Sequence, residues 1–145
     1  MQFQPYLFFG GTCAEAMTTY ERVLGGKMQM MMKYSQTPPQ EGPAPEGCAE
    51  LPAGFGDKIA HAALELDGSM LMASDSPMPN FEPMKNVYVT VSFPTPEKAK
   101  EVFDALAQGG KVEMPMAETF WVESFGSLVD RFGTHWMING GKPKF

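Results

Sequence analysis

Two histidines, two cysteines and thirteen methionines carry most of the chemistry open to this chain of 145 residues. His61 stands four places before Glu65 in residues 59–66, a run that reads as a strand. On such a strand His61, Ala63 and Glu65 share one face, and the imidazole and carboxylate lie roughly 13 Å apart. Glu65 therefore does not orient His61 by direct contact. Each suits its own task, His61 as a base or hydrogen-bond partner and Glu65 as an acceptor. The plainer alternative is that His61 opens its strand and satisfies a backbone group. His135 is open to a ligand, to solvent or to a second copy of the chain. Cys48 sits in an acidic stretch with no evident base, so a nucleophile there lacks its activating group. Cys13 falls in the first turn of a helix candidate, which leaves two readings: a thiol acidified by the helix N-terminus, or buried packing. Methionine is flexible and polarisable, so its abundance fits either a loosely specified core or a wall facing a ligand.

The elements that position these groups come twice. "GGKMQM" at 25–30 and "GGKVEM" at 109–114 each follow an amphipathic helix candidate. The first candidate opens on Thr12-Cys13-Ala14-Glu15, the pattern of a capping box, with apolar positions at Ala16, Tyr20, Val23 and Leu24. The second opens on Thr95-Pro96-Glu97, a good N-cap before a proline at the first helical position, with its stripe at Ala99, Val102, Phe103 and Leu106. Each ends at a glycine pair able to supply a left-handed cap. Strand-like runs precede the helices at 4–9 and 86–93. Others follow at 27–34, 59–66 and 69–74 in the first half, and at 111–116, 124–129 and 134–139 in the second. Leu66-Asp67-Gly68-Ser69 reads as a hairpin turn. The order is β-α-β-β-β, twice. The expected fold is α+β: two βαβββ modules with mixed sheets forming a cleft. The whole chain reads as a single domain, with module one at 1–75, a proline-rich linker at 76–85 and module two at 86–145.

One stretch breaks the symmetry. Residues 35–57 hold five prolines and four glycines, with Glu41, Glu46, Glu50 and Asp57 and no base, and read as a lid or a mobile loop. A net charge of −6 without any run of Lys or Arg argues against a nucleic-acid partner. No apolar stretch approaches the ~18 residues of a membrane span. Met1-Gln2-Phe3-Gln4-Pro5 lacks the pattern of a secretion signal, and two cysteines do not make a disulfide framework. The reading is a reduced, cytoplasmic protein.

The tail "FGSLVDRFGTHWMIN" at 125–139 carries a resemblance. With Trp121, Gly126 and Asp130-Arg131-Phe132-Gly133-Thr134-His135-Trp136 it is similar to the PhnB-like branch of the vicinal-oxygen-chelate superfamily, also called glyoxalase/bleomycin-resistance/dioxygenase. That branch is often labelled a 3-demethylubiquinone-9 3-methyltransferase domain. Its habit is a Trp near the end of the sixth strand, a Gly in the seventh, then D-P-F-G-H-x-W. "AHAALELDGSMLMASD" at 60–75 also resembles it. Arg131 stands where Pro is usual, and Val122 follows Trp121 where Gly is usual. The resemblance implies sheets that curl into a cleft. In metal-using members it also implies four His, Glu or Gln side chains, one from the first and one from the fourth strand of each module, around a divalent ion.

Carried over, those four places fall on Pro5, Met72, Val87 and Met137. A slip of one residue, which would swap the facing side, offers Tyr6, Leu71, Ala73, Tyr88, Trp136 and Ile138. None is a carboxylate or imidazole, and thioethers suit Cu(I) rather than a hard divalent ion. No metal or cofactor is therefore expected. The side set by Met72 also takes Met70 and Ser74, and the side set by Met137 takes His135 and Asn139. The expected ligand-binding set is His61, Glu65, Met70, Met72, Ser74, Trp121, His135 and Met137, in a homodimer that binds a small molecule without metal. The alternatives are an enzyme of the same superfamily, whether the labelled methyltransferase or a divergent lyase or dioxygenase, and a dimeric scaffold without ligand. S-adenosylmethionine chemistry finds little support, since neither Gly10-Gly11 nor Phe93-Pro94-Thr95 forms the expected glycine pattern.

Overall fold

The structure, a computed structural model, describes residues 1–38 and 51–145. Cys48, Glu41, Glu46 and Glu50 lie outside the described residues, as does the middle of the expected lid. The chain forms two compact units, Met1–Pro83 and Met84–Phe145. The first contains β1 (Tyr6–Phe9), α1 (Cys13–Leu24), β2 (Lys27–Lys33), β3 (Ile59–Leu66) and β4 (Ser69–Asp75). The second contains β5 (Val89–Phe93), α2 (Pro96–Ala107), β6 (Lys111–Ala117), β7 (Val122–Val129) and β8 (His135–Pro143). Each unit is one βαβββ module. The sheet orders are β1-β4-β3-β2 and β5-β8-β7-β6, and each sheet has a parallel first pair and antiparallel others. This is the α+β glyoxalase/bleomycin-resistance-like fold.

One face of each sheet is closed by its own helix. In the first unit α1 buries Cys13, Ala16, Met17 and Tyr20, and the sheet turns Leu7, Phe9, Ala62, Leu64, Leu71 and Ala73 inward. In the second α2 buries Ala99, Val102, Phe103 and Leu106, and Leu128, Trp136 and Ile138 are wholly buried. Burying each large apolar side chain contributes about 1.5–3 kcal/mol, enough for these small sheets to hold their helices. A Cβ built at Gly140 would lie 2.5 Å from the Cβ of Ala99, so α2 rests on β8 with no room between.

The repeated GGK phrase now has a physical cause. Gly25 caps α1 at φ 77°, and Gly109 turns the chain after α2 at φ 72°. The second glycine of each pair serves a different need. A Cβ on Gly26 would sit 2.6 Å from the carbonyl oxygen of Glu65 and would also strike the Leu66 side chain. A Cβ on Gly110 would strike the Val129 carbonyl and lie 2.9 Å from the Asp130 Cα. In both modules the end of the third strand passes directly over this corner, and only a bare backbone fits beneath it.

Some local expectations need correction. Thr95 caps α2, its hydroxyl accepting the Lys98 amide at 3.2 Å, but Thr12 makes no side-chain cap on α1. At φ −107° and ψ 11° it is turned away from the extended geometry a capping hydroxyl needs. The carboxylate of Asp75 replaces it. Its Oδ1 accepts from the Gly11 and Cys13 amides at 2.9 Å each, and its Oδ2 accepts from Ile59 at 2.9 Å. One buried side chain thus ties the β1–α1 corner to the start of β3 and the end of β4. The fifth strand begins at Val89 rather than 86, because Asn86 adopts φ 58° and breaks the extended run. The 67–68 turn is as expected, with Asp67 at φ 48° and Gly68 at φ 82°.

Candidate functional site

The free face of the first sheet gathers five of the eight expected residues. Cross-strand pairing fixes this. Tyr6 pairs with Met72, Met72 with Ala63, and Ala63 with Met30, while Phe8 pairs with Ser74, Met32 with His61, and Glu65 with Met70. Directly paired residues share a face, so His61, Glu65, Met70, Met72 and Ser74 stand together with Tyr6, Phe8, Met30 and Met32. Tyr6, Phe8 and Met30 are exposed. The alternation that puts Leu71 and Ala73 against α1 is what turns these residues outward.

His61 is oriented by Tyr6 and not by Glu65. The Tyr6 hydroxyl and His61 Nδ1 lie 3.1 Å apart, and the two rings are stacked at 5.6 Å. Because β1 and β3 flank β4, this bond bridges over β4. Ser74, on the same face, is only 3% exposed. Glu65 is engaged elsewhere, accepting from Gln29 Nε2 at 3.4 Å and from the Gly68 amide at 3.1 Å. It belongs to the hairpin turn more than to any pair with His61. The plainer expectation, that His61 satisfies a backbone group, gives way to the same phenol. Among the described residues His61 Nε2 makes no hydrogen bond and is the ring nitrogen left for a ligand.

Beneath this face Cys13 is buried. Burial, and then the carboxylate of Asp75, push its thiol up to about 12 from 9.0, so the reading of an acidified helix-terminal thiol is overturned. Tyr34 donates to the Asp75 carbonyl at 2.8 Å and packs on Phe55 at 5.2 Å, while its amide bonds the Lys58 carbonyl at 2.9 Å. The two described ends of the 35–57 stretch are thereby pinned together. Burial first, then the charges of Tyr6, Asp75 and Cys13, raise the Tyr34 phenol above its ordinary value.

The other three expected residues lie in the second unit. His135 and Met137 share the free face of that sheet with Asn139, opposite the α2-facing Trp136 and Ile138. The His135 ring, partly exposed, stands edge-on to Tyr88 at 5.1 Å, and its Nδ1 is buried without a hydrogen-bond partner among the described residues. Tyr88 donates to Glu113 at 2.8 Å, a bond that raises its phenol pKa. Trp121 lies between β6 and β7 rather than at the end of the sixth strand. It makes edge contacts with Phe120 at 4.8 Å and Phe125 at 5.3 Å. The D-R-F-G-T-H-W motif is a fastener: Asp130 accepts from the Phe132 and Thr134 amides at 2.9 and 3.0 Å and from Trp136 Nε1 at 2.9 Å.

The places that the family resemblance would give to an ion, two in each unit, do not fit one here. Met72 and Met137 offer thioethers, and Pro5 and Val87 offer no donor; Tyr6, on the free side next to Pro5, is spent on His61. No three His, Cys, Asp or Glu side chains converge among the described residues. Neither pair of places offers a donor set that grips a hard divalent cation.

Comparison with known proteins agrees with the architecture. The family described as 3-demethylubiquinone-9 3-methyltransferase matches residues 1–139. Protein YjdN of Escherichia coli (strain K12) is 38% identical over 143 residues, covering 96% of this chain and 95% of that one. The crystal structure of protein PA1353 from Pseudomonas aeruginosa superposes with a TM-score of 0.83 at 38% identity, over 97% of this chain and 98% of its own. FosX of Listeria monocytogenes, a fosfomycin resistance protein, shares the fold alone, with a TM-score of 0.62 at 6% identity over 98% of this chain and 94% of its own.

Proposed function

The chain belongs to the 3-demethylubiquinone-9 3-methyltransferase family, the PhnB-like branch of the vicinal-oxygen-chelate superfamily, and we propose that it is a metal-independent binder of a small, partly apolar molecule. The observation that carries this reading is the free face of the first sheet. A single hydrogen-bonded polar pair, Tyr6 and His61, stands among Phe8, Met30, Met32, Met70 and Met72. Apolar walls with few polar groups are what small-molecule sites generally use. The thioethers adapt to the ligand's outline, and His61 Nε2 sets its orientation. Trp121, His135 and Met137 offer a comparable apolar and imidazole surface on the second sheet. The same reading takes the protein as a cytoplasmic homodimer, supported by the large apolar side chains exposed at Phe120 and Phe145.

The test is a thermal-shift screen in the presence of a chelator, using small aromatic and quinone-like compounds. A binder held at 100 times its dissociation constant adds about 2.7 kcal/mol to stability. Met72→Glu should abolish the shift. A shift that needs added divalent metal, or that survives both Met72→Glu and Tyr6→Ala, would overturn the reading.

The enzyme reading has one observation in its favour. In the tautomer whose Nδ1–H donates to the Tyr6 oxygen, His61 presents Nε2 as a base. Turnover of a bound compound that is lost in His61→Asn while binding persists would support it. Methyl transfer is disfavoured locally. The Gly11 and Cys13 amides of the β1–α1 corner are already consumed by Asp75 and cannot meet a cofactor.

A further inference from the structure

Three thioethers of the first unit stand around one alanine. That residue, Ala63, is paired with Met72 on β4 and with Met30 on β2. One step along, Met32 stands directly opposite His61. Directly opposed residues on antiparallel strands hold their Cβ atoms about 4.5–5.5 Å apart, and diagonal neighbours about 7–8 Å. Four long side chains are therefore close neighbours on the face around this methyl group. Ala63 is 7% exposed although its own side chain ends at Cβ. Met32, Met72 and His61 remain partly accessible and Met30 is 47% exposed, so the cluster is open to an incoming ion.

The chemistry of these four groups is selective. Thioether sulfur is a soft donor that favours Cu(I), and imidazole binds copper well. A metal-binding histidine generally has its second nitrogen held by another group, which fixes the ring. Here the Tyr6 hydroxyl sits 3.1 Å from His61 Nδ1, and among the described residues Nε2 makes no hydrogen bond. The nearest carboxylate on the face, Glu65, is occupied by Gln29 and the Gly68 amide. Nothing in the set rewards a hard cation.

We infer that this face is a site for a soft monovalent cation, Cu(I) or its analogue Ag(I), held by His61 Nε2 and the sulfurs of Met30, Met32 and Met72 above Ala63. The ion would take the same His61 and methionine side chains as the proposed small-molecule face, so the two occupants exclude each other, and the ion site rests on the donor set alone. The experiment is an anaerobic titration of Cu(I) against a chromophoric chelator, paired with an Ag(I) titration followed through the methionine methyl resonances. One ion per chain is expected, with the Met30, Met32 and Met72 methyls shifting and those of Met1 and Met78 still. Met32→Leu conserves volume and should weaken binding by at least about tenfold, as should His61→Asn. Tyr6→Phe, which frees the imidazole, should weaken it by about tenfold. The inference is overturned if the chelator retains all the copper, or if Met32→Leu and His61→Asn bind as tightly as the parent. It is equally overturned if binding disappears in Cys48→Ser, which would assign the ion to that thiol.

Discussion

Replacing Asp75 by asparagine removes one charge from the interior of the first unit and almost no volume. The parent carboxylate, 1% exposed, accepts three backbone amides at 2.9 Å each, from Gly11, Cys13 and Ile59. A hydrogen bond to a charged acceptor contributes about 1.5–3 kcal/mol, and one to a neutral acceptor about 0.5–1.5 kcal/mol. In Asp75→Asn the remaining oxygen keeps Gly11 and Cys13, and each bond loses about 1 kcal/mol. The new NH2 then faces the Ile59 amide, donor against donor. Ile59 is 2% exposed, so water cannot repair the mismatch, and an unpaired buried N–H costs about 1–3 kcal/mol. The sum is about 3–5 kcal/mol, a large share of the ~5–15 kcal/mol that holds a typical domain. Urea unfolding followed by far-ultraviolet circular dichroism measures it, with an unchanged m-value confirming that stability alone has moved. Asp104→Asn, on the exposed face of α2, is the control and should stay within about 0.5 kcal/mol. A loss below about 1 kcal/mol in Asp75→Asn would refute the view that this carboxylate holds the corner together.

The glycine pairs separate strain from crowding. Gly25→Asn should be nearly neutral, since a Cβ there meets nothing within 4 Å and asparagine tolerates φ 77°. Gly26→Ala should cost about 1–3 kcal/mol by overpacking against the Glu65 carbonyl, as read from urea midpoints. Cys13 should resist alkylation in the native state at pH 8, mapped by peptide mass spectrometry. Its thiol titrates near 9.0 when unfolded and about 12 when folded. The unfolded chain therefore releases this proton first, and stability should fall as pH rises from about 9 towards 12. Cys13→Ala should flatten that part of the profile.

Much of this architecture can be read from local pattern. Helix spacing, the Thr95-Pro96 start, the Asp67-Gly68 turn and the doubled GGK phrase each depend on residues close in sequence. The free-face set in the first unit was also legible, because period-two alternation carries from one paired strand to the next. What escaped was long-range. The carboxylate that caps α1 lies 62 positions from the Cys13 amide it serves, and nothing around Thr12 announces it. The phenol that holds His61 comes from 55 positions away. Tyr6 could have been found by placing it on the same face as Met72, but its reach across β4 depends on strand order, which alternation does not encode.

The outer strands carry a further consequence. In the first sheet β2 is an edge, and its sequence Lys-Met-Gln-Met-Met-Met-Lys puts four greasy side chains along an open ladder. Lys27 and Lys33, both exposed, bracket that run with like charge. In the second sheet β6 is the corresponding edge, and Pro115 deletes a donor from its middle. Each of these two edges thus discourages a stray strand from zipping alongside, one by repulsion and the other by a missing proton. A methionine surface can then stay available to a guest without inviting fibrils.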